Sequence, residues 1–363
     1  ASGHQKTGNP LSKVSRYIHL GSAKTSAAFS LFLRQAITME NRRIFGIKTP
    51  GEFETCALET FREQYLQVPV YREFCDLLGK TPANVRDIDH LPFLPIEFFK
   101  THQVLRNGKK AEAIFRSSGT TGSVLSQHYV ADLDRYRNSF LGGFEHFYGS
   151  PSRYCILAML PSYQERPDSS LIHMVSELIG RSGHPESGFT ENNPESLYPI
   201  LDRLEASGQK VLLLGVSFAL LDLATKHPRP LKNTTVMETG GMKGRRKEMV
   251  REELHKILCA GFGLEHIHSE YGMTELLSQA YSQGDGLFKC PPWMQVRTRD
   301  PEDPLSYVGF GRTGGINVID LANQDSCCFL ATQDLGRLYA NGSFEVLGRF
   351  DHSDIRGCNL MAL

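Results

Sequence analysis

Residues 113–123 read Ala-Ile-Phe-Arg-Ser-Ser-Gly-Thr-Thr-Gly-Ser and join a short apolar run to a loop rich in glycine and hydroxyl groups. Ala113 to Arg116 has the apolar character of a short β-strand, and the pattern from Asp132 to Phe147 predicts a helix. The two glycines allow the loop backbone to turn several N–H groups toward one point. The stretch therefore predicts a strand, a glycine loop and a helix in succession, a pattern typical of α/β proteins.

Four further apolar runs extend this pattern toward the C-terminus. They are separated by segments with helical spacing, and the clearest helix is predicted for Lys247 to Cys259, before Gly261. Alternating strands and helices predict an α/β core over residues 110–285. The four predicted strands are Tyr154 to Leu160, Lys210 to Leu214, Thr234 to Glu238 and Glu265 to Ser269.

The part of the chain before this core is predicted to be mainly helical. Residues 1–15 are polar and are interpreted as disordered or as a cloning remnant, and residues 16–109 form the helical N-terminal portion. Phe53, Ala57, Phe61 and Tyr65 recur with helical spacing and predict an amphipathic helix. Leu91 to Lys100 contains two prolines among large apolar residues, which predicts a buried connector and not a regular helix.

Residues 286–363 are predicted to form a β-rich subdomain. Turn-forming residues occur at Asn323-Gln324-Asp325 and at Asn341-Gly342, and the second pair is a hairpin signal. Short apolar runs before and after these turns are typical of antiparallel strands. The predicted strands are Gly314 to Asp320, Cys327 to Thr332, Leu335 to Tyr339 and Ser343 to Leu347.

Charge and composition exclude several classes of protein. The 40 Lys and Arg residues balance the 40 Asp and Glu residues, so the chain has no field that would gather nucleic acid. The most apolar stretch, Val211 to Leu221, is shorter than the roughly 20 residues of a membrane span. With no apolar signal core near the N-terminus, a cytoplasmic location is expected. The eight cysteines show no zinc-type spacing, so most are expected to be buried.

The loop from Ser117 to Ser123 has the chemistry of a phosphate-binding loop. Backbone N–H groups and hydroxyl groups that converge on one point suit phosphate oxygens. The loop is not a Walker A sequence, because it lacks that spacing and its lysine. An ordinary turn rich in serine and glycine remains the alternative interpretation.

A second candidate motif runs from His268 to Glu275. Tyr271, Thr274 and Glu275 place an aromatic face, a hydroxyl group and a carboxylate within five residues. These groups suit stacking on a nucleotide base, contact with a phosphate and binding of Mg²⁺, which prefers oxygen ligands. A strand that ends in a polar turn is the simpler alternative.

Four blocks, taken in order, resemble the signature sequences of the acyl-adenylating superfamily, which includes acyl-CoA synthetases, aryl-CoA ligases and luciferases. They are Ser117 to Gly122, Tyr271 to Glu275, Gln333 to Gly336 and Gly348 to Asp351. The resemblance implies an α/β fold with a helical N-terminal layer, an α/β core and a β-rich C-terminal subdomain.

Within that superfamily the chain is similar to the acyl-protein synthetases of the bacterial bioluminescence fatty-acid reductase complex, a family sometimes grouped with phenylacetate-CoA ligases. The segments that carry this closer likeness are Leu91 to Lys100, Leu160 to Arg166 with Ser169 to Leu171, and Gly348 to Cys358. The resemblance covers about residues 15–363. It implies a fatty acid substrate and a partner fatty-acid or acyl-CoA reductase, with an acyl-transferase subunit as a further partner.

The superfamily resemblance also implies roles for individual residues. ATP and Mg²⁺ are the implied cofactors, and Glu275 is the implied metal ligand. The phosphate loop comprises Ser117, Ser118, Gly119, Thr120, Thr121 and Gly122. Gly240 and Gly241 are implied to lie against adenine, and Tyr271, beside Gly272, is implied to stack on it. Thr274 is implied to contact the α-phosphate. Asp334 is implied to bind the ribose hydroxyls, and Arg349 is implied to lie near the ribose.

The sequence departs from the superfamily pattern in two places. Ser123-Val124-Leu125 follows the phosphate loop where a Pro-Lys pair is common, so a lysine contact is absent or supplied from elsewhere. Only seven residues follow Arg356, and we therefore expect the superfamily's mobile C-terminal domain, with its lysine, to be absent. Cys358 occupies the position of the acyl-accepting cysteine of the synthetase family, and a thiol is intrinsically nucleophilic.

The sequence thus favours an ATP-dependent fatty acid:protein ligase that forms an acyl adenylate, acylates its own Cys358 and passes the acyl group to a partner reductase. Two alternatives stay open. One is an acyl-CoA or aryl-CoA ligase of the phenylacetate type. The other is a non-enzymatic subunit that binds a nucleotide or an acyl group.

Overall fold

The computed structural model describes residues 43–118, 124–160, 166–190, 194–240 and 249–350. The chain divides into two units, Ala1–Gly46 and Ile47–Leu363. The fold described below is that of the second unit. The candidate residues Gly119 to Gly122, Gly241 and Cys358 lie outside the described residues, as does the predicted disordered segment at residues 1–15.

Two helices open this unit. Helix α1 spans Pro50–Gln67 and begins with a capping box, in which Thr49 Oγ1 accepts a hydrogen bond from the Glu52 amide and the Glu52 carboxylate accepts one from the Thr49 amide. The amphipathic helix predicted from Phe53 to Tyr65 is confirmed. Helix α2 spans Pro69–Leu77 and starts directly after Val68.

The predicted connector at Leu91 to Lys100 is confirmed as buried. Strand β1, Leu94–Pro95, pairs in parallel with a strand from the C-terminal part of the chain, and Leu94 is fully buried. A single helical turn, α3, follows at Phe98–Thr101. The two prolines therefore place an extended segment where a helix would not fit.

The helix predicted from Asp132 to Phe147 is confirmed, but a strand that the sequence did not predict lies between it and the glycine loop. Strands β2, Ala113–Arg116, and β3, Gln127–Val130, form a separate antiparallel hairpin, and the glycine loop joins them. Helix α4, Leu133–Tyr148, then starts after Asp132, whose carboxylate accepts from the Arg135 amide. The apolar pattern did not predict β3, because a histidine, His128, occupies one of its two buried positions.

The parallel half of the main sheet follows the predicted alternation of strands and helices. Its strands run in the order β8, β7, β6, β4, β5, and neighbouring strands are parallel. The strands are β4 Cys155–Met159, β5 Gly188–Phe189, β6 Val211–Val216, β7 Thr234–Thr239 and β8 His268–Tyr271. The helices are α5 Ser170–Ser182, α6 Pro194–Ser207, α7 Ser217–Lys226 and α8 Arg251–Phe262.

Two predicted boundaries in this half are corrected. Strand β8 lies three residues beyond the predicted start at Glu265. Helix α8 begins at Arg251 and continues through Gly261 to Phe262, because Gly263, with φ of 63°, supplies the left-handed residue that ends it. Val250 falls inside the predicted helix but is 65% exposed at the capping position.

An antiparallel half extends the sheet to twelve strands. Beyond β8 the order is β9, β10, β14, β13, β12, β11, and β1 pairs with β13. The predicted β-rich end is confirmed, although one long strand replaces the two predicted at Cys327 to Tyr339. The strands are β9 Ala280–Ser282, β10 Phe288–Lys289, β11 Met294–Arg299, β12 Thr313–Asp320, β13 Phe329–Leu338 and β14 Phe344–Arg349.

The β12–β13 turn, Leu321–Cys328, is buried although its sequence is polar. Asn323 is 1% exposed and Asp325 is 6% exposed. Gln64 Nε2 of α1 donates to the main-chain oxygens of Asn323 and Gln324, at 3.0 Å each. Arg135 Nη1 of α4 donates to Asp325 Oδ2 at 2.9 Å, which satisfies the buried carboxylate. The turn thus joins elements from both ends of the sequence.

None of the helices within the described residues is long and apolar enough to cross a membrane.

Replacement of Arg135 tests the importance of the buried turn. The Arg135 and Asp325 side chains are only 2% and 7% exposed. We expect Arg135→Met to lower the free energy of unfolding by about 3–5 kcal/mol, because Asp325 is left as a buried charge without its main partner. Urea unfolding measures this loss.

Arg181→Met is the matched control, because Arg181 pairs with Glu177 on the surface of α5 and is 56% exposed. Arg181→Met should lower the free energy of unfolding by less than about 1 kcal/mol. Equal costs for the two variants would contradict a structural role for the buried pair.

Candidate active site

Segments that are far apart in the sequence meet where β7 and β8 end. Strand β8 ends at Tyr271 and β7 ends at Thr239, and the two strands are parallel neighbours. Strands β13 and β14 bring Asp334 and Arg349 to the same place, where these two residues are direct partners across the strand pair. The carboxyl ends of parallel strands are the usual location of ligand sites in open α/β sheets.

Tyr271, Asp334 and Arg349 form one hydrogen-bonded group. Tyr271 Oη donates to Asp334 Oδ2 at 2.8 Å, and Arg349 Nε donates to Asp334 Oδ1 at 3.2 Å. The Tyr271 ring is 7% exposed and packs edge-on against Phe288 and Phe344. Burial raises the pKa of Tyr271 well above its ordinary value, so the hydroxyl remains a donor at neutral pH.

Glu275 is a buried carboxylate next to this group. Its side chain is 5% exposed, and burial raises its pKa although a hydrogen bond from the Ser126 side chain acts in the opposite direction. The charges of Arg349 and Asp334 both act on it. Thr274 is half-buried beside it. A buried carboxylate with few donors favours a cation as its partner.

The base of the glycine loop is held by hydrogen bonds between Ser117 and Ser126. The Ser117 amide donates to the Ser126 oxygen at 3.1 Å, and the Ser126 amide donates to Ser117 Oγ at 3.0 Å. Arg166 Nη2 donates to the Ser117 oxygen at 2.9 Å and pairs with Asp168. Ser118 is exposed. Ser126 therefore links the loop base to Glu275.

Gly240 follows β7 in a left-handed conformation, with φ of 67°, which glycine adopts without strain. Ser217 Oγ lies 2.6 Å from the Gly240 oxygen and 3.0 Å from Glu238 Oε2. Burial opposes ionisation of Glu238, but its hydrogen bond with His255 and the charge of Arg251 lower its pKa to about 2. The Glu238 carboxylate is therefore ionised, and its hydrogen bond from Ser217 fixes the end of β7.

Gly272 is a glycine because two side chains occupy the space beside its Cα. A Cβ at this position would lie 2.4 Å from Glu270 Oε1 and 3.2 Å from Gln279 Cγ. Glu270 accepts a hydrogen bond from Thr239 Oγ1, and burial raises the pKa of Glu270 to about 7. The Tyr-Gly pair of the motif is therefore imposed by packing on this face of the sheet.

Glu275 fits a Mg²⁺ ion that arrives with nucleotide phosphates. No group of three or more His, Cys, Asp or Glu side chains that could hold a metal occurs in the part of the chain that the structure describes. Mg²⁺ commonly binds through one or two carboxylates together with substrate phosphates. One buried carboxylate beside the loop base is consistent with that mode of binding.

The structure brings together Ser117, Tyr271, Thr274, Glu275, Asp334 and Arg349, with Gly240 at the end of the neighbouring strand β7. It also adds Ser126 and Arg166, which the sequence did not assign to the site. Arg166 lies in a segment that resembled the synthetase family, so the resemblance contained a signal for it. Ser126 had none, since it belongs to no motif.

The fold is similar to that of solved acyl-adenylating ligases. An open conformation of 2-hydroxyisobutyryl-CoA ligase in complex with 2-HIB-AMP and CoA matches with a TM-score of 0.57 and 13% identity, over 84% of this chain and 72% of that one. The same ligase in the postadenylation state with 2-HIB-AMP matches with a TM-score of 0.56 and 12% identity, over 84% of this chain and 69% of that one. The predicted fold class is confirmed: a mixed α/β fold with a large mixed sheet, like the large domain of these ligases.

ATP-bound MatB from Rhodopseudomonas palustris matches with a TM-score of 0.48 and 19% identity, over 65% of this chain. The chain spans about half the length of MatB, 48% of it. No curated protein matches the sequence. The family model described as "Acyl-protein synthetase, LuxE" matches residues 201–362. The predicted resemblance to acyl-protein synthetases is therefore confirmed over residues 201–362, which are less than half of the chain.

Glu270 predicts an unusual dependence of stability on pH. Its pKa is about 7 in the folded chain and near 4.5 in the unfolded chain, so the folded state binds the proton more tightly between these values. The contribution of Glu270 to stability is complete below pH 4.5 and is lost as the pH rises through 7. We expect Glu270→Gln to raise the free energy of unfolding by about 1–3 kcal/mol at mildly alkaline pH.

Urea unfolding from below pH 4.5 to mildly alkaline pH measures the difference in free energy of unfolding between wild type and Glu270→Gln. This difference should vanish at the acid end of the range. The control is Glu265→Gln, which removes an exposed carboxylate just before β8. Parallel curves for wild type and Glu270→Gln would contradict the prediction, because they would show that the pKa of Glu270 is the same in the folded and unfolded chain.

Proposed function

We propose that the protein is an ATP-dependent fatty acid:protein ligase, which activates a fatty acid as an acyl adenylate and then forms an acyl thioester. The observation that supports it best is the physical link between four separate segments. Ser117 at the loop base is joined through Ser126 to Glu275, and Tyr271 and Arg349 meet on Asp334. The family match at residues 201–362 supports the acyl-protein branch over other adenylating ligases.

In this proposal the first half-reaction depends on positioning and charge. The loop from Ser117 to Gly122 would hold the β- and γ-phosphates, and Thr274 would contact the α-phosphate. One oxygen of the fatty acid carboxylate attacks the α-phosphorus, the bond to the bridging oxygen breaks, and pyrophosphate leaves. Fixed donors that face the developing charge lower the barrier of such a step.

The nucleoside would bind beside this loop. Adenine would lie between the segment Gly240-Gly241 and Tyr271, and the ribose hydroxyls would contact Asp334 near Arg349. The existing bonds from Tyr271 and Arg349 orient the Asp334 carboxylate before the nucleotide arrives. Preorganisation of this kind reduces the entropy lost on binding.

Mg²⁺ would be held by Glu275 and the nucleotide phosphates, and when bound it would neutralise charge on the leaving pyrophosphate. Burial raises the pKa of Glu275, and a cation bound beside it would favour its ionised form.

The second half-reaction would use Cys358. Its thiolate attacks the carbonyl carbon of the acyl adenylate, a C–S bond forms, and the bond from the acyl carbon to the AMP oxygen breaks. The acyl group would then pass to a partner fatty-acid reductase, with an acyl-transferase subunit as a further partner in the cytoplasm. Aldehyde supply for bioluminescence is the pathway that the family match favours.

A CoA ligase is the second candidate, because the fold is similar to that of 2-hydroxyisobutyryl-CoA ligase. In that case CoA would replace Cys358 as the nucleophile. The identity is only 13%, so this likeness concerns the fold and not the acceptor.

Labelled tetradecanoic acid distinguishes the candidates. The pure protein is incubated with ATP, Mg²⁺ and the labelled acid, and the protein is then separated and treated with hydroxylamine, which cleaves thioesters. We expect hydroxylamine-labile label on the wild type and none on Cys358→Ser. Label found only on added CoA would favour the CoA ligase. No label and no pyrophosphate release with any acid would favour a binding subunit without catalysis.

Glu275→Gln tests the assignment of the metal ligand. Loss of the carboxylate should lower acid-dependent exchange of pyrophosphate into ATP by about a hundredfold, since a charged contact to the phosphates is removed. The control is Glu265→Gln, on the surface before β8. Unchanged exchange in Glu275→Gln would overturn the metal assignment.

A further inference from the structure

His128 is a buried histidine that links the hairpin of the glycine loop to the Thr274-Glu275 motif. It lies on β3, the strand that leaves the loop, and it is fully buried. Its Nδ1 is 2.8 Å from the main-chain oxygen of Thr274, 146 residues away in the sequence. A carbonyl oxygen can only accept, so Nδ1 carries the proton and donates.

The other ring nitrogen reaches the same motif through the buried turn. His128 Nε2 lies 3.1 Å from Asn323 Oδ1, and Asn323 Nδ2 donates to the main-chain oxygen of Glu275 at 2.9 Å. Phe99 packs edge-on against the imidazole ring, with ring centroids 5.6 Å apart. With the proton on Nδ1, Nε2 faces Asn323 Oδ1, which also only accepts, so this second contact is packing and not a hydrogen bond. The hydrogen bond to Thr274 and the edge contact with Phe99 define the orientation of the imidazole.

We propose that His128 is a positioning residue for adenylation, which fixes the Thr274-Glu275 backbone relative to the base of the phosphate loop. This inference rests on the proposed function, because the reaction for which His128 would position the motif is the adenylation proposed above. His128 has no contact with the reacting atoms in this proposal. It acts through the carbonyl of Thr274, and Asn323, against which it packs, holds the carbonyl of Glu275.

The topology explains why such a link is needed. Strands β2 and β3 form a two-stranded sheet of their own, whereas Thr274 and Glu275 follow β8 of the twelve-stranded sheet. Main-chain ladders within each sheet therefore do not fix one sheet against the other. Within the described residues, the Arg116 amide of β2 donates to the Asp168 main-chain oxygen, and the His128 side chain supplies a buried hydrogen bond to the backbone of the Thr274-Glu275 motif. A small displacement between catalytic groups lowers rates strongly.

Two amide variants separate the two contacts of the ring. In His128→Asn the side-chain amide lies near the position of Nδ1 and retains the donor to Thr274, and in His128→Gln it extends toward Asn323. His128→Leu removes both contacts. Acid-dependent pyrophosphate exchange is measured for each variant with ATP varied. We expect kcat to fall about tenfold or more in His128→Leu and His128→Gln, to stay within about threefold in His128→Asn, and KM for ATP to change little.

Val130→Ala is the matched control, because Val130 is the other buried residue of β3 and makes no hydrogen bond through its side chain. It should lower the melting temperature but leave kcat within about threefold. An equal loss of kcat in Val130→Ala, or no advantage of His128→Asn over His128→Gln, would overturn the proposal, because the effect would then follow stability alone.

Hydrogen exchange tests the positioning without any activity. Peptides that cover residues 272–279 are followed by mass spectrometry in the full chain. We expect faster exchange in His128→Leu than in wild type and in His128→Asn, since the motif loses its anchor. Unchanged exchange would overturn the positioning role. A wild type without pyrophosphate exchange but with this protection pattern would instead count against the proposed function.

Discussion

The burial of the polar turn Leu321–Cys328 is the constraint on which the rest of the structure depends. Buried main-chain and side-chain polar groups require hydrogen-bond partners, and a turn of this sequence in an apolar interior is stable only if other elements supply them. Gln64 from α1 and Arg135 from α4 donate to the turn, and His128 from β3 packs against Asn323. Asn323 then donates to the motif that follows β8. Satisfying one turn thus fixes the positions of elements from the whole described chain.

The same requirement shapes the electrostatics of the candidate site. Two carboxylates there have opposite environments: Glu238 is surrounded by donors and keeps a low pKa, whereas Glu275 receives few and its pKa is raised. The first holds the end of β7 in place, and the second is the group that the proposed Mg²⁺ would compensate. Asp334 is 7% exposed, and both Tyr271 and Arg349 donate hydrogen bonds to its carboxylate.

The sequence predicted the features that depend on local pattern and on recognisable motifs. The α/β core, the β-rich end, the buried connector at Leu91 to Lys100 and most strands follow from periodicity and glycine or proline positions. Strand β3 was missed because His128 replaces an apolar residue in a short alternating run. The burial of Asn323 could not be predicted, because the sequence of a polar turn does not show whether water or distant side chains supply its hydrogen-bond partners. The role assigned to Ser126 likewise depends on contacts across about 150 residues.

A crystal structure with a non-hydrolysable acyl-adenylate analogue is the most direct test of the account. We predict that the adenine lies between Gly240 and Tyr271, that the ribose hydroxyls bind Asp334, and that the group replacing the α-phosphate contacts Thr274. The Thr274 carbonyl should retain its bond to His128. An analogue bound elsewhere, or bound with Asp334 still held by Tyr271 and Arg349 alone, would contradict the assignment of this site to adenylation.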